Sequence, residues 1–279
     1  MNHKTSHVQT LKDYVARQRL TLGNLRSRLR VRAGHPRLDE SHWSRLLCFV
    51  HIPKCGGTSF NDVLWSVYGR NFLSYTYHAA SPDCDPGDIT RDQAKNVLAI
   101  SGHLPYGFHR QFGPPDETVF AGRQVHYVSI VRDPVNRLLS LARHVRSFPS
   151  HRLHEATKAM TYAQFFAYAV ESGHTGLIGD SQSRLLTDQH PERAVEYART
   201  RYLAVATVES APGMISALAE KLCWPEIRLG HKNRSPKSLA SDEDRALAKQ
   251  LCAQYCQHDT ALYDYVRSQP GGFIVSDAL

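Results

Sequence analysis

Seven consecutive residues, Pro53-Lys54-Cys55-Gly56-Gly57-Thr58-Ser59, put a cation, two glycines and two hydroxyls into one short turn. Glycines let backbone N–H groups swing toward a ligand, and the unpaired N–H groups of a helix's first turn carry partial positive charge. With the ammonium of Lys54 added, these parts make an anion site suited to phosphate or sulfate. The same letters also suit an ordinary strand-to-helix turn, in which Gly-Gly precedes a Thr or Ser cap. Residue order argues against one familiar chemistry. A nucleoside triphosphate loop runs Gly, four residues, then Gly-Lys-Ser/Thr, with the hydroxyl on magnesium. Here Lys54 precedes Gly56 and Gly57, which speaks against a kinase or ATPase.

Two more places offer chemistry. Arg132-Asp133-Pro134-Val135-Asn136-Arg137-Leu138-Leu139-Ser140 starts with a guanidinium at a strand end. Its planar fork can bind two phosphate oxygens at once. Local pairing of Arg and Asp at a helix N-terminus is the alternative, and Asp133 and Arg137 are expected in such roles. A hydroxyl nucleophile would need a base, and histidine is the usual choice near neutral pH. Of the 16 histidines, His103 has a positional reason, because it follows an apolar run and Gly102 and precedes Pro105-Tyr106-Gly107. His51 and His78 come next, with His51 read as a structural residue near the loop.

The elements that must position these groups follow from apolar periodicity. Strands are expected over 46–52, near 97–100, over 125–131 and over 202–208, with a short one near Phe72 to Tyr77. Helices are expected over 58–68, from Pro134 onward, over 214–222 and, as one final element, over 241–267. Tyr162, Phe165, Phe166, Tyr168, Ala169 and Val170 are expected to form a buried face. Apolar strands alternating with helices imply an α/β fold with a parallel sheet covered on both faces. Such sheets bind ligands beyond the carboxyl ends of their strands, so Lys54, His103 and Arg132 leave the same edge.

The chain has 279 residues, 42% of them hydrophobic and 22% charged, as a soluble globular protein would. Its formal charge of +8 is unevenly spread. Residues 1–45 hold ten Lys/Arg against three Asp/Glu, whereas residues 46–279 hold 24 against 23. The expected organisation is therefore a basic N-terminal arm over 1–45 and one domain over 46–279. The arm's leucines and arginines fit an amphipathic helix that could dock on a second copy, approach an anionic surface, or stay solvated. Nucleic-acid binding is not expected, because the arm lacks interleaved aromatics and the body is nearly neutral. No apolar stretch reaches the ~20 residues of a membrane span, and no secretory signal opens the chain. The six cysteines lack a zinc-type pairing and read as reduced thiols.

The string Pro-Lys-Cys-Gly-Gly-Thr-Ser closely resembles the 5′-phosphosulfate loop of sulfotransferases that use 3′-phosphoadenosine 5′-phosphosulfate. The nearest branch holds heparan sulfate 2-O-sulfotransferases and bacterial carbohydrate sulfotransferases. Arg132-Asp133-Pro134-x-x-Arg137-x-x-Ser140 resembles the family's 3′-phosphate motif. The resemblance implies a P-loop-like three-layer α/β/α fold. It implies that Lys54, Cys55, Gly56, Gly57, Thr58 and Ser59 grip the phosphosulfate, with Lys54 also catalytic. Arg132 and Ser140 would hold the 3′-phosphate, and no metal would be required. The basic loop Leu229 to Pro236 is similar to one that closes over the nucleotide in related enzymes, which marks Lys232 and Arg234. The Gly102-His103 pair resembles the base of the heparan sulfate branch.

The expected reaction moves a sulfonyl group to a hydroxyl of a carbohydrate or glycolipid and releases adenosine 3′,5′-bisphosphate. A non-catalytic nucleotide-binding module of the same fold and a small-molecule kinase are the alternatives. Animal Golgi members carry a membrane anchor, so this chain is expected to be a soluble, bacterial, cytoplasmic member. Gly179-Asp180-Ser181-Gln182-Ser183-Arg184 and Asp259-x-x-Leu262-Tyr263 are also family-like. Gln182 and Arg184 there either face the site or belong to a capped helix with a solvated Arg.

Overall fold

The computed structural model describes residues 43–75, 94–112, 119–120, 122–224 and 240–277. The chain divides into units Met1–Arg37 and Leu38–Leu279, and every described residue falls in the second. The basic arm up to residue 42, His78, Lys232 and Arg234 lie outside the described residues.

A six-stranded sheet in the order β2-β3-β1-β4-β5-β6 forms the centre. Its strands are β1 (Arg45–Val50), β2 (Phe72–Tyr75), β3 (Ala99–Gly102), β4 (Gln124–Val131), β5 (Tyr202–Thr207) and β6 (Phe273–Val275). The first five in that order run parallel, and β6 pairs antiparallel with β5. Both faces of β1 are buried, which is why it reads as unbroken apolar residues rather than an alternation. Leu46, Cys48 and Val50 face one layer with Leu262 and Val266 of helix α8 (Gln257–Ser268). Leu47 and Phe49 face the other, with Phe60, Leu64 and Val67 of α1 (Gly57–Tyr68) and Met214 and Leu218 of α6 (Ala211–Lys221). The fold is therefore α/β with helices on both faces of a mostly parallel sheet.

A third apolar cluster lies among the helices. It joins Leu138 and Val145 of α2 (Pro134–Ser147), Phe165 and Phe166 of α3 (Tyr162–Glu171), and Ala248 and Cys252 of α7 (Asp242–Tyr255). Two helices complete the set used below, α4 (Ser181–Leu186) and α5 (Ala194–Thr200).

Three expectations need correction. β1 ends at Val50 rather than residue 52, because Ile52 N–H turns back to the Val50 carbonyl (3.1 Å) ahead of Pro53. The single helix over 241–267 is two helices, α7 and α8, broken at Cys256 (φ −123°, ψ 36°). There the Cys256 thiol donates to the Ile178 carbonyl at 2.9 Å. The break re-aims α8 so that Asp259 is fully buried. Finally, β6 was not foreseen; three residues behind Pro270-Gly271-Gly272 are too short for periodicity to reveal.

Candidate active site

Three adjacent parallel strands, β3, β1 and β4, end at one edge, and His103, Lys54 and Arg132 follow directly behind them. Topology thus brings together the three side chains on which the expected chemistry rests.

The loop after β1 is built on two positive-φ residues. Lys54 has φ 70°, a left-handed conformation costing roughly 1–2 kcal/mol for a residue with a Cβ. Gly56, the cap of α1, has φ 77° and needs glycine for that reason. No side chain caps α1. The opening N–H groups at Gly57 and Thr58 cannot reach a carbonyl of their own helix, and Thr58 and Ser59 are exposed residues. Cys55 differs from its expected role. Its N–H donates to Ile52 O (3.3 Å) and its thiol points inward to Gln182 Oε1 (3.2 Å). Burial pushes that thiol up to about 12. Cys55 therefore has both its N–H and its thiol engaged within the protein.

The strained Lys54 backbone is held from β4. Arg132 Nη1 donates to the Lys54 carbonyl at 3.0 Å. Arg132 is itself clasped on both sides of its peptide: its N–H donates to Gln182 Oε1 (2.8 Å), and Gln182 Nε2 donates to its carbonyl (2.9 Å). Gln182 is fixed in turn by Asp259, whose carboxylate oxygens accept from Gln182 N (3.2 Å) and Ser183 N (2.7 Å). Asp259 N–H donates to Asp180 Oδ1 (2.8 Å). Burial pushes the Asp259 carboxyl up, while Arg137 and the two amides pull the other way. Gln182 thus faces neither solvent nor a ligand but ties two loops together, whereas Arg184 is exposed.

Asp133 caps α2, accepting from Asn136 N at 2.8 Å. Arg137 does not pair with it. That side chain is 1% exposed and reaches the Leu177 and Gly179 carbonyls, both at 3.4 Å. Its position on the buried face of α2, opposite Asp259, accounts for the difference.

Charge converges on the loop. Burial lowers the Lys54 ammonium from its ordinary value, and the positive charges of Arg143 and Arg132 lower it further. Arg143 was not singled out in the sequence; it lies three residues beyond Ser140 on α2, so both share a helix face. Ser140 is partly exposed. His51, behind the loop, is 7% exposed, and its ring sits edge-on to His103 with centroids 4.5 Å apart. A cavity of about 690 Å³ is lined by Asp133, Asn136, Thr207, Glu209, Arg245 and Tyr263 among others, and Lys54, His103, Arg132 and Ser140 are not part of its wall. Among the described residues no three His, Cys, Asp or Glu side chains converge as a metal site requires.

The sequence profile of the sulfotransferase family matches residues 44–266. The chain belongs to the sulfotransferase family. A search of curated proteins gave no match. In this sulfotransferase the matched span runs from the start of β1 through nearly all of α8, so it includes the loop, Arg132, His103 and the Gln182–Asp259 bracket. Among the described residues, no helix of the sulfotransferase is long and apolar enough to cross a membrane.

Proposed function

We propose that this sulfotransferase takes its sulfonyl group from 3′-phosphoadenosine 5′-phosphosulfate and delivers it to a hydroxyl of a carbohydrate or glycolipid. The observation that carries this reading is the gathering of Lys54, Arg132 and Arg143 at an uncapped helix start. Burial first, and then the charges of Arg143 and Arg132, make the Lys54 ammonium harder to keep, and an anion bound beside it would offset that cost. A doubly anchored phosphosulfate nucleotide supplies that charge.

Each residue then has a distinct task. The Gly57 and Thr58 amides with the Thr58 and Ser59 hydroxyls hold the 5′-phosphosulfate. Lys54 neutralises charge growing on the bridging oxygen as the S–O bond breaks. Arg132 and Ser140 hold the 3′-phosphate, which fixes the direction of attack. His103 takes the acceptor's proton.

The test is transfer of ³⁵S from labelled donor onto desulfated heparin, chitohexaose and a glycolipid extract. Label should appear in at least one acceptor, and calorimetry should show binding of adenosine 3′,5′-bisphosphate. Nucleotide binding without transfer to any hydroxyl acceptor would leave a binding module instead. Magnesium-dependent transfer of the ATP γ-phosphate would make the protein a kinase.

A further inference from the structure

Gly57 has no conformational need to be glycine. Its φ is not in the left-handed range, and at the start of α1 alanine would cost less by up to about 1 kcal/mol. What excludes a side chain is the imidazole of His51. A Cβ on Gly57 would stand 2.8 Å from the ring's Cγ and closer still to Cδ2 and Nε2.

That ring has aromatic neighbours. It stacks on Phe49 with centroids 5.5 Å apart and meets the His103 ring edge-on at 4.5 Å. The His51 backbone N–H donates to the Gly102 carbonyl (2.8 Å), one residue before His103. One buried side chain therefore touches both the first residue of the donor loop's helix and the ring that would receive the proton. Its Nδ1 is buried without a hydrogen-bond partner, so hydrogen bonding by that atom does not explain its presence. Burial, reinforced by His103 and Lys54, holds the ring neutral, down to about 3. A neutral ring adds no charge to a site already crowded with cations.

We propose that His51 is a positioning residue, a wedge that sets the spacing between the donor loop at Gly57 and the base His103. This inference rests on His103 being the base.

The test is a double-substitution cycle of Gly57→Ala and His51→Ala. It has two readouts: calorimetric affinity for adenosine 3′,5′-bisphosphate and the ¹⁵N imidazole signals of His103, assigned from their loss in His103→Ala. Gly57→Ala alone drives the ring toward His103, so the His103 signals move and affinity falls about tenfold. Once His51→Ala has removed the ring, adding Gly57→Ala changes affinity by less than about threefold and leaves the His103 signals in place. If Gly57→Ala alone does not fold, a double variant that folds and binds gives the same support. Equal cost of Gly57→Ala with and without the ring overturns the wedge. His103→Ala, assayed for ³⁵S transfer on the same acceptors, separates the two readings. An additive cycle with an inactive His103→Ala removes the wedge alone, whereas an active His103→Ala removes the base and with it the task assigned to His51.

Discussion

The two sides of the loop after β1 are secured by different physics. On the Cys55 side every group is hydrogen-bonded: thiol to Gln182, Gln182 to both ends of the Arg132 peptide, Arg132 to the Lys54 carbonyl, and Asp259 beneath them all. On the Gly57 side the neighbour is the His51 ring, packed where a Cβ would stand. Hydrogen bonds fix the direction of a backbone, and a left-handed Lys54 requires that constraint. Packing fixes a distance without consuming N–H groups, and at Gly57 those N–H groups are the ones a donor would take. The bracket should therefore fail first in stability, and the wedge first in the site.

Lys54 belongs to both sides and gives the largest effect. Its carbonyl is part of the bracket, while its side chain is part of the site. Lys54→Ala keeps the carbonyl and removes the charge. Turnover in the ³⁵S assay should fall about 10²- to 10³-fold, the range seen when a group stabilising transition-state charge is lost. The unfolding midpoint in denaturant should stay near wild type. A large stability loss would mean that the side chain is structural.

Asp259→Ala breaks the bracket at its base. It leaves the amides of Gln182 and Ser183 without acceptors and the buried Arg137 without its nearby negative charge. Each buried amide left without an acceptor costs about 1–3 kcal/mol, with the lost compensation of Arg137 added to it, and denaturant titration would read the sum directly. Gln182→Leu acts one step nearer the site and should cost less. The Arg132 N–H and carbonyl lose their partners, at about 1–3 kcal/mol per stranded group. If the bracket holds the loop in shape, affinity for adenosine 3′,5′-bisphosphate should drop in this variant as well. Unchanged affinity would confine Gln182 to folding.

This contrast also shows where the sequence was readable. Lys54, His103 and Arg132 could be placed on one edge because parallel α/β topology sends all strand ends the same way. The bracket could not be read. Gln182 and Asp259 lie 77 positions apart, and nothing local distinguishes a buried amide from one facing a ligand. Arg137 was misplaced for the same reason, since its partners are carbonyls on the segment before α4. His51 was recognised as structural, but a ring wedged between two other residues leaves no trace in spacing. The break at Cys256 is invisible to periodicity, because the apolar positions of α7 and α8 run on through it.

Acid provides the mildest test of the wedge. His51 is held neutral in the fold, with its ring pulled from the ordinary 6.5 to about 3, chiefly by burial. The unfolded chain frees that ring to bind a proton below about pH 6.5. Between those values the unfolded state carries more protons, so stability rises with pH and is lost as the solution is acidified. The contribution of His51 has a slope of at most about 1.4 kcal/mol per pH unit across that window. His109, lowered to about 4 by burial and then Arg110, adds a slope of the same sign. Asp259 works in the opposite sense, because its folded carboxyl is raised and the stability it contributes is lost as pH increases. The total curve therefore mixes signs, and a difference is needed. His51→Phe keeps a ring between Gly57 and His103 but removes the titrating nitrogens. Denaturation measured from pH 7 down to pH 4 should then decline less steeply in His51→Phe than in wild type. Parallel curves would mean that His51 is already protonated in the fold, and a charged ring beside Lys54 would not be the neutral spacer that the packing requires.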